Sequence, residues 1–588
     1  METYKMAADC EHITLRNLSD VGKYSYASLC SIILSNLFET SLDRKWSKEV
    51  IIKLVKHLYL PQQVLTSLLQ VFQMGNCEDH PSERIIDSLQ TAPLIAVLKK
   101  ESSVTENSLV GYPKELLNLV QELGEYDARL RVLMFSLGDQ LVVGHSELEN
   151  SENVLVERLK QLKDFKTCED PELQKKEVKK KRKKAVVIAL GALGGGALIG
   201  LTGGLAAPLI AAGAGAVLGA GSAAVLSTTA GLAFIASIFG AAGAGLTGYR
   251  LRRRIGQIEE FEFEQLGKGE QLHLAVAVSG WVPDDTQDLK AAFKIPWRDL
   301  NVSQEQYSLT WESRYLAEMG SAMSSFFTAN SIGYVTQEAL KYTVLSGLVS
   351  AISWPLFILQ LGYAIDNPWH VCSRRAAEVG EHLADVLLSR QQGKRPVTLI
   401  GFSLGARVIF FCLEALAKKC GVGIIENAIL LGAPVTAERS RWACVGQVVA
   451  GKLINGYCCK DWFLKFVYRT ASAQLSVAGL QEIKWKNRRM INVDLSEQID
   501  GHLDYSNADK LRTVLEILGI STRSHERIET ERMSQESSCT VNKTISTNDE
   551  ATTVVLEILE ERIDVAIEVS TLIHQTAVNE PTDQGQIT

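Results

Sequence analysis

The sequence predicts an α/β protein with three parts: a helical N-terminal domain, an inserted membrane hairpin rich in glycine and alanine, and a mostly parallel sheet covered by helices. Apolar residues recur at helical spacing through residues 1–150. Residues 185–249 contain no Asp, Glu, Lys, Arg or His. From residue 250 to residue 520, short apolar runs alternate with helical segments, which is the pattern of strands joined by crossover helices.

The helical domain is predicted over residues 1–150. Apolar residues recur every three or four positions in YASLCSIILSNLF (26–38), and Pro61 opens a further helical segment. A charged helix is predicted over residues 151–184, where ENVLVERLKQLKDF has too few heptads for a long coiled coil. This helix is expected either to form a short coiled coil or to bind a partner.

The uncharged block at 185–249 is 65 residues long, whereas one bilayer crossing needs about 20 apolar residues. Basic clusters flank it, KKEVKKKRKK at 175–184 and YRLRRR at 249–254. Because positive charge is retained on the cytoplasmic side, both flanks are expected in the cytosol, and a two-helix hairpin is the favoured interpretation. The alternative is a Gly/Ala-rich linker or a buried helical hairpin, since glycine and alanine insert more weakly than leucine.

A second uncharged stretch, residues 342–365, is long enough to span a membrane but is interrupted by Trp354-Pro355. A crossing here would move the following domain to the opposite face of the membrane. The interpretation we favour is an apolar insertion over a ligand pocket, which leaves that domain in the cytosol. Residues 521–588 are rich in Ser, Thr and Glu and are predicted to form a mostly disordered tail.

The α/β domain, residues 250–520, contains six strand-like runs. They are rich in apolar and β-branched residues: LHLAVAVSG (272–280), YSLTWES (307–313), VTLIGFS (397–403), NAILLGAP (427–434), KLINGY (452–457) and RMINVDL (489–495). Helical segments separate them, so a mostly parallel sheet is predicted. The carboxyl edge of such a sheet is where ligands bind.

Gly-Phe-Ser-Leu-Gly at 401–405 is the motif that predicts a catalytic nucleophile. It joins the strand-like PVTLI to the apolar-periodic ARVIFFCLEALAKK, which is the strand, tight turn and helix of a nucleophile elbow. Gly401 and Gly405 remove Cβ atoms that would crowd such a turn. Ser403 is therefore the candidate nucleophile, although these five letters also occur by chance in other proteins.

A serine hydroxyl needs a base that is itself oriented by a carboxylate, and in α/β-hydrolases the chain order is serine, acid, histidine. His502 is the candidate base because the other histidines after Ser403 lie in the polar tail. Asp461 is the candidate acid because it follows the next-to-last strand, whereas Asp494 and Asp500 lie too close to the histidine in sequence. An N-cap role before WFLKFVYR would explain Asp461 equally well.

The oxyanion hole of such a site needs two backbone N–H donors. Leu404, directly after the candidate nucleophile, and Trp281, in the loop after the first predicted strand, are the candidates. The indole of Trp281 has an alternative role as a cover for the pocket.

Composition argues against several other classes of function. The net charge is −7 and the pI is about 5.9, so the chain has no electrostatic footprint for nucleic acid. The eleven cysteines are scattered without a Cys-x-x-Cys metal spacing or the framework of a small secreted domain, which is typical of reduced, cytosolic thiols. No metal or cofactor is predicted, and the acidic residues near the N-terminus argue against a cleaved signal peptide.

Four segments resemble the eukaryotic family of transmembrane and coiled-coil domain proteins, an α/β-hydrolase-like group. They are RPVTLIGFSLGARVIFFCL, GIIENAILLGAPV, NGYCCKDWFLKFVYR and HLDY. The resemblance extends over about residues 115–515. It implies a membrane-associated protein with an α/β-hydrolase-like fold and with Ser403, Asp461 and His502 at triad-like positions. It implies no substrate, because a hydrolase fold does not determine the chemistry.

Two functions follow as hypotheses. The first is a membrane-anchored serine hydrolase, esterase- or lipase-like, that cleaves an ester of a lipid or other amphiphile at an intracellular membrane, with its catalytic domain facing the cytosol. The second is a non-catalytic trafficking or scaffold protein that uses the hydrolase fold for binding. Membrane lipids are the expected partners, together with cytosolic proteins bound through the N-terminal helices or the tail.

Overall fold

The described residues of the computed structural model are 15–74, 88–101, 109–167, 237–239, 246, 258–282, 288–324, 368–461, 463–465 and 476–523. Of the predicted membrane hairpin they include only 237–239 and 246. The apolar stretch 342–365 and the predicted tail beyond residue 523 lie outside them. In the part of the chain that is described, no helix combines the length and the hydropathy that a membrane crossing requires.

The N-terminal part is helical, and its helices share one apolar core. Its α-helices in the described ranges are α1 (Asp20–Leu37), α2 (Ser41–His57), α3 (Gln62–Met74), α4 (Ser88–Lys100), α5 (Gly111–Glu115), α6 (Leu119–Leu123), α7 (Ala128–Leu141) and α8 (His145–Thr167). The side chains of Ser19, Thr40 and Asp127 accept hydrogen bonds from backbone N–H groups at the starts of α1, α2 and α7. α8 crosses the predicted boundary at residues 150–151, because Leu148 and Leu159 are both buried in this core.

A seven-stranded sheet forms the centre of the second part, with the strand order β1-β3-β2-β4-β5-β6-β7. The strands are β1 (Phe261–Gln265), β2 (Leu274–Val278), β3 (Glu305–Trp311), β4 (Val397–Phe402), β5 (Ile425–Leu431), β6 (Leu453–Tyr457) and β7 (Met490–Asp494). β1 runs antiparallel to β3 and every other pair is parallel, with Val276 of β2 beside Tyr307 of β3 and Leu399 of β4. An α/β protein with a mostly parallel sheet and a helical N-terminal region is therefore confirmed.

β1 is the strand that the sequence analysis did not predict. Its sequence, FEFEQ, offers only two apolar residues, Phe261 and Phe263, and both are buried. Glu262 and Glu264 alternate with them and each pairs with Lys290 at 2.9 Å. A five-residue edge strand with two apolar residues gives only a weak strand pattern. The sequence therefore does not distinguish β1 from the charged segment that precedes it.

Helices pack on this sheet, and those in the described residues are α9 (Leu289–Lys294), α10 (313–324), α11 (368–388), α12 (Leu404–Lys418), α13 (Arg439–Gly446) and α14 (Ala508–Ile517). The central strand β4 is buried at all six of its residues. A parallel strand that is covered on both faces needs no polar side, which explains why VTLIGF lacks the alternation of a half-exposed strand.

Buried ion pairs join the helical region to the amino-terminal edge of the sheet. Arg131 of α7 donates to Glu152 of α8 at 2.8 Å and to Glu426, near the start of β5, at 2.5 Å. Arg489, which directly precedes β7, donates to Asp43 of α2 at 3.1 Å. The helical region and the sheet form one compact unit that ends at Ser521. The carboxyl edge of the sheet, where ligands are expected, is thus left to other parts of the chain.

Two apolar residues from the end of the predicted membrane hairpin pack inside the protein. Ile238 and Phe239 are buried in the core of the helical region. The guanidinium carbon of Arg395 lies 5.1 Å from the ring centroid of Phe239, and the N–H of Lys394 donates to the carbonyl of Ser237 at 2.9 Å. This end of the predicted hairpin is therefore attached to the chain segment that enters β4.

His57 of α2 provides a prediction about stability and pH. Burial by itself lowers the pKa of this imidazole, but hydrogen bonds to Glu115 at 2.6 Å and Glu122 at 2.9 Å outweigh burial and raise the pKa to about 9. Because this value exceeds the ordinary pKa of 6.5, the protonated ring stabilises the fold fully below about pH 6.5, and the contribution is lost as the pH rises through about 9. We expect that loss to be roughly 3 kcal/mol in the free energy of unfolding, measured by urea titration.

His57→Gln is the control for this prediction, since glutamine does not titrate. The stability advantage of the wild type over the variant should shrink between about pH 6 and about pH 10. An advantage that stays constant over this interval would contradict the role given to the imidazolium.

Candidate active site

Ser403 lies in the tight turn between β4 and α12. Its backbone has φ 53° and ψ −128°, a conformation that L-residues rarely adopt. The N–H of Ser403 donates to the carbonyl of Leu431 in β5 at 2.9 Å, which ties the turn to the neighbouring strand. Backbone strain of this kind persists where the surrounding structure enforces it, and it is the conformation expected of a nucleophile elbow.

The glycines around Ser403 are required by close backbone contacts. A Cβ atom on Gly405 would lie 2.0 Å from the carbonyl oxygen of Val278, at the end of β2. A Cβ atom on Gly280, in the loop after β2, would lie 2.6 Å from both the Leu404 nitrogen and the Ser403 Cβ. The loop after β2 therefore presses directly against the elbow, and side chains at these two positions would force them apart.

Gly405→Ala is expected to destabilise the protein by about 3 kcal/mol, because the added methyl group meets a backbone carbonyl that cannot move aside. Gly501→Ala, one residue from His502, is the matched control, since a Cβ atom there meets nothing within 4 Å. Its stability should stay within about 0.5 kcal/mol of the wild type. Thermal unfolding of the two variants checks this prediction, and equal melting temperatures would show that the close contact at Gly405 carries no cost.

The three side chains predicted from the sequence lie in one hydrogen-bonded chain. Ser403 Oγ is 2.6 Å from His502 Nε2, and His502 Nδ1 is 2.6 Å from Asp461 Oδ2. Ser403 is 2% exposed, and the other two side chains are fully buried. An ionised carboxylate only accepts, so Nδ1 donates to Asp461 and Nε2 is left to accept the serine proton.

Asp461 also caps the short helical segment 463–465. Its Oδ1 accepts the N–H of Leu464 at 2.9 Å, while Oδ2 contacts His502. The contacts that the two interpretations of Asp461 require are thus both present, one on each carboxylate oxygen. Asp494 accepts from Ser496, and Asp500 pairs with Lys510 at 2.8 Å, so these carboxylates are directed elsewhere.

Aromatic side chains hold the imidazole of His502 in place. Phe463 lies 5.4 Å from His502 between ring centroids, and Tyr505 lies edge-on at 5.9 Å. Trp369 packs edge-on against Phe463 at 6.2 Å, which extends an apolar wall away from the imidazole. Burial, and then the charge of Asp461, raise the pKa of Tyr505 well above its ordinary value, so this phenol stays neutral.

The two predicted oxyanion donors lie on either side of the contact between the elbow and the loop after β2. Leu404 begins α12, and neither its N–H nor that of Trp281 donates a hydrogen bond to any described residue. The indole of Trp281 is buried, and its Nε1 also has no hydrogen-bond partner among the described residues. Neither backbone N–H thus has an acceptor among the described residues, which is a condition that an oxyanion donor must meet.

Two further tryptophans fix this loop, and the sequence analysis did not single them out. Trp311 Nε1 donates to the carbonyl of Ser279 at 3.1 Å, and Trp297 Nε1 donates to the hydroxyl of the same serine at 2.9 Å. They come from β3 and from the turn after α9, so no local pattern places them near Ser403. Tyr505, by contrast, belongs to the HLDY segment three residues after His502, so the sequence could have predicted that it lies near the imidazole.

No group of three or more His, Cys, Asp or Glu side chains is arranged to hold a metal ion within the ranges that the structure covers.

The described residues form an α/β protein with a buried, hydrogen-bonded chain of serine, histidine and aspartate at the carboxyl edge of a mostly parallel sheet. It belongs to the family described as protein of unknown function DUF726, whose model matches residues 180–521.

Relatives of this chain carry membrane and lipase names. An uncharacterized membrane protein of Caenorhabditis elegans, F35D11.3, is 43% identical over 464 residues, which cover 76% of this chain and 74% of the relative. The transmembrane and coiled-coil domain-containing protein STS1 of Oryza sativa subsp. japonica is 38% identical over 416 residues, covering 68% of this chain and 61% of the relative. The probable lipase MIL1 of Saccharomyces cerevisiae is 34% identical over 437 residues, which cover 71% of this chain but 39% of the yeast protein. No solved structure matches this chain.

Proposed function

We propose that this protein is a serine hydrolase of the α/β-hydrolase fold that cleaves an ester of a lipid or another amphiphile. The hydrogen-bonded chain from Ser403 through His502 to Asp461 carries the proposal. The order serine, acid, histidine along the chain and the strained turn at Ser403 support it. The name of the yeast relative, a probable lipase, agrees with this class of reaction.

The proposed reaction proceeds in two halves. Ser403 Oγ attacks the carbonyl carbon of the ester while its proton passes to His502 Nε2; the bond to the alcohol oxygen then breaks, and the histidine returns the proton to the leaving alcohol. In the second half, water loses a proton to His502 and attacks the acyl carbon; the bond from that carbon to Ser403 Oγ then breaks, His502 returns the proton to Oγ, and a carboxylic acid leaves. Asp461 keeps the imidazole in the required tautomer, and the N–H groups of Leu404 and Trp281 stabilise the oxyanion of each intermediate.

The substrate class follows from the apolar wall and from the membrane names of the relatives. Phe463, with Trp369 packed against it, places buried aromatic side chains beside the imidazole, and such surroundings suit an acyl chain better than a polar group. The predicted hairpin at 185–249, without its end at Ile238 and Phe239, would anchor the protein to an intracellular membrane with the α/β domain in the cytosol. Substrate would then enter from the lipid phase, and membrane lipids would be both partners and substrates.

Labelling with a fluorophosphonate probe in detergent micelles tests the proposed nucleophile. The wild type should be labelled on Ser403, and Ser403→Ala should not be labelled. Ser506→Ala is the control, because this serine lies in the same segment as His502 but donates to the carbonyl of Leu503 at 2.9 Å and takes no part in the chain. Equal labelling of wild type and Ser403→Ala, or no labelling of either, would remove the covalent mechanism.

One observation favours a second function, that of a non-catalytic trafficking or scaffold protein. Ser403, His502 and Asp461 are all closed off from solvent, as in a fold that is kept for binding alone. Cytosolic proteins would then be engaged through the N-terminal helices or the tail. Rescue of a loss-of-function phenotype by Ser403→Ala would support this function, and failure of rescue at normal abundance would support the hydrolase.

A further inference from the structure

A cavity of about 210 Å³ lies between the helical region and the amino-terminal edge of the sheet. Its walls come from the α1–α2 connection, from the end of α13 and from the loop that precedes β7, and they include Asn36, Glu39, Thr40, Gln447, Trp485 and Arg488. β7 runs parallel to β6, so its amino end lies at the edge opposite to the candidate active site. The cavity is therefore separate from the triad.

Arg488 is an exposed residue whose guanidinium is fixed in the wall of this cavity by hydrogen bonds. Its Nε donates to the carbonyl of Leu37, the last residue of α1, at 3.0 Å, and its Nη2 contacts the same oxygen and the carbonyl of Ala450. The guanidinium carbon also lies 5.7 Å from the ring centroid of Phe38. A guanidinium fixed in this way loses little conformational entropy when it binds a ligand.

The positive charge of Arg488 has no carboxylate partner within the described residues. Its neighbour Arg489 is different, because it donates to Asp43 at 3.1 Å and to the carbonyl of Gly446 at 2.8 Å. Arg488 contacts only carbonyl oxygens, and its Nη1 makes no hydrogen bond to a described residue. Two N–H donors of a fixed cation therefore remain for an acceptor in or beside the cavity.

The charged residues that line the cavity are Glu39, Arg488 and Arg489. Glu39 lies in the wall and forms no ion pair with a described residue, and Asp43 is already shared between Arg129 and Arg489. Lys484 and Lys486 lie exposed on the same loop as Arg488 and do not line the cavity. The amide and hydroxyl groups of Asn36, Thr40, Gln447 and Asn487 add uncharged hydrogen-bonding partners to the lining.

We propose that this cavity binds a small phosphate monoester, with the phosphate on Arg488. Several acceptor oxygens on one group match a fixed guanidinium fork surrounded by amide and hydroxyl donors, and a carboxylate would use fewer of them. The volume admits a phosphate with a short organic group. Because the walls come from both the helical region and the sheet, a bound phosphate stabilises the contact between them. This site does not depend on the proposed hydrolase activity.

Isothermal titration of the full-length protein with glycerol 3-phosphate, at constant ionic strength, tests the proposal. The wild type should bind saturably, and Arg488→Gln should weaken binding by at least about tenfold, because a charge-assisted hydrogen bond is lost. Glu39→Gln should strengthen binding by a few-fold, because it removes the competing negative charge. Lys484→Gln, an exposed change on the same loop, is the matched control and should stay within about twofold of the wild type.

Glu39→Gln keeps the proposal testable if Arg488→Gln fails to fold, since a gain of affinity cannot come from loss of structure. Absence of saturable binding to the wild type, or unchanged affinity in both Arg488→Gln and Glu39→Gln, overturns the proposal. Competition with dihexanoyl phosphatidic acid distinguishes the two sources of the phosphate. Displacement assigns the site to a lipid headgroup, and no displacement assigns it to a free phosphate monoester; either result supports the shared chemistry.

Discussion

Ser403→Ala is expected to lower kcat/KM for hydrolysis of 4-nitrophenyl butyrate by about 10⁴-fold or more. The variant keeps the elbow, the aromatic side chains beside His502 and the N–H groups of Leu404 and Trp281, so the attacking oxygen is the one group of the proposed mechanism that is lost. His502→Ala should cause a loss of similar size, because without Nε2 the hydroxyl at 2.6 Å has no proton acceptor. Initial rates with micellar substrate provide the measurement, and Ser506→Ala serves again as the control.

The double variant of Ser403 and His502 distinguishes a catalytic unit from two separate residues. Side chains that act as one chain lose the whole effect at the first replacement, so the double variant should be no slower than either single variant. Multiplication of the two losses would show that the residues act independently. Retention of more than about a tenth of the wild-type rate in Ser403→Ala would assign the hydrolysis to another site.

Arg131→Met is expected to lower the free energy of unfolding by about 3–5 kcal/mol. Arg131 compensates two buried carboxylates, those of Glu152 and Glu426, and Tyr126 donates to the first of them at 2.5 Å. Burial already raises the pKa of Glu426 even though Arg131 opposes the shift. Methionine fills much of the volume of arginine but leaves both carboxylates without a cation, and urea titration measures the resulting loss.

Lys160→Met is the matched control for Arg131→Met, because Lys160 and Glu157 form an exposed pair at 2.9 Å. Its effect should stay below about 1 kcal/mol. Combining Arg131→Met with Glu152→Gln and Glu426→Gln should recover most of the loss, since no buried charge is then left uncompensated. Equal losses in Arg131→Met and Lys160→Met would show that the buried network does not hold the helical region to the sheet.

Ser403 and His502 are residues that a single sequence identifies by pattern and by chain order. The elbow needs a strand, a serine between glycines and a helix in direct succession, and all three are visible in consecutive letters. His502 is the last histidine before the polar tail, which leaves few alternatives. Asp461 was ambiguous for a physical reason, because the same carboxylate caps residues 463–465 and contacts the imidazole.

The supporting residues of the candidate site could not be found in this way. Trp297 and Trp311 hold Ser279 from two different elements, and Phe463 lies against His502 from the segment after Asp461. Each is an ordinary apolar residue in its own segment. Their proximity depends on the order of the strands in the sheet, and a single sequence specifies that order only weakly.

The sequence by itself determined the helical N-terminal region, six of the seven strands, the parallel character of the sheet and the position of the strained serine. These are properties of consecutive residues, since helical and strand periodicities and turn chemistry act over a few positions. Only the tertiary structure decided that β1 forms one edge of the sheet and that Asp461 contacts both Leu464 and His502. It also decided that buried ion pairs join the helices to the amino-terminal edge of the sheet. Such contacts join residues far apart in the chain, and their energy comes from desolvation and charge pairing that exist only after folding.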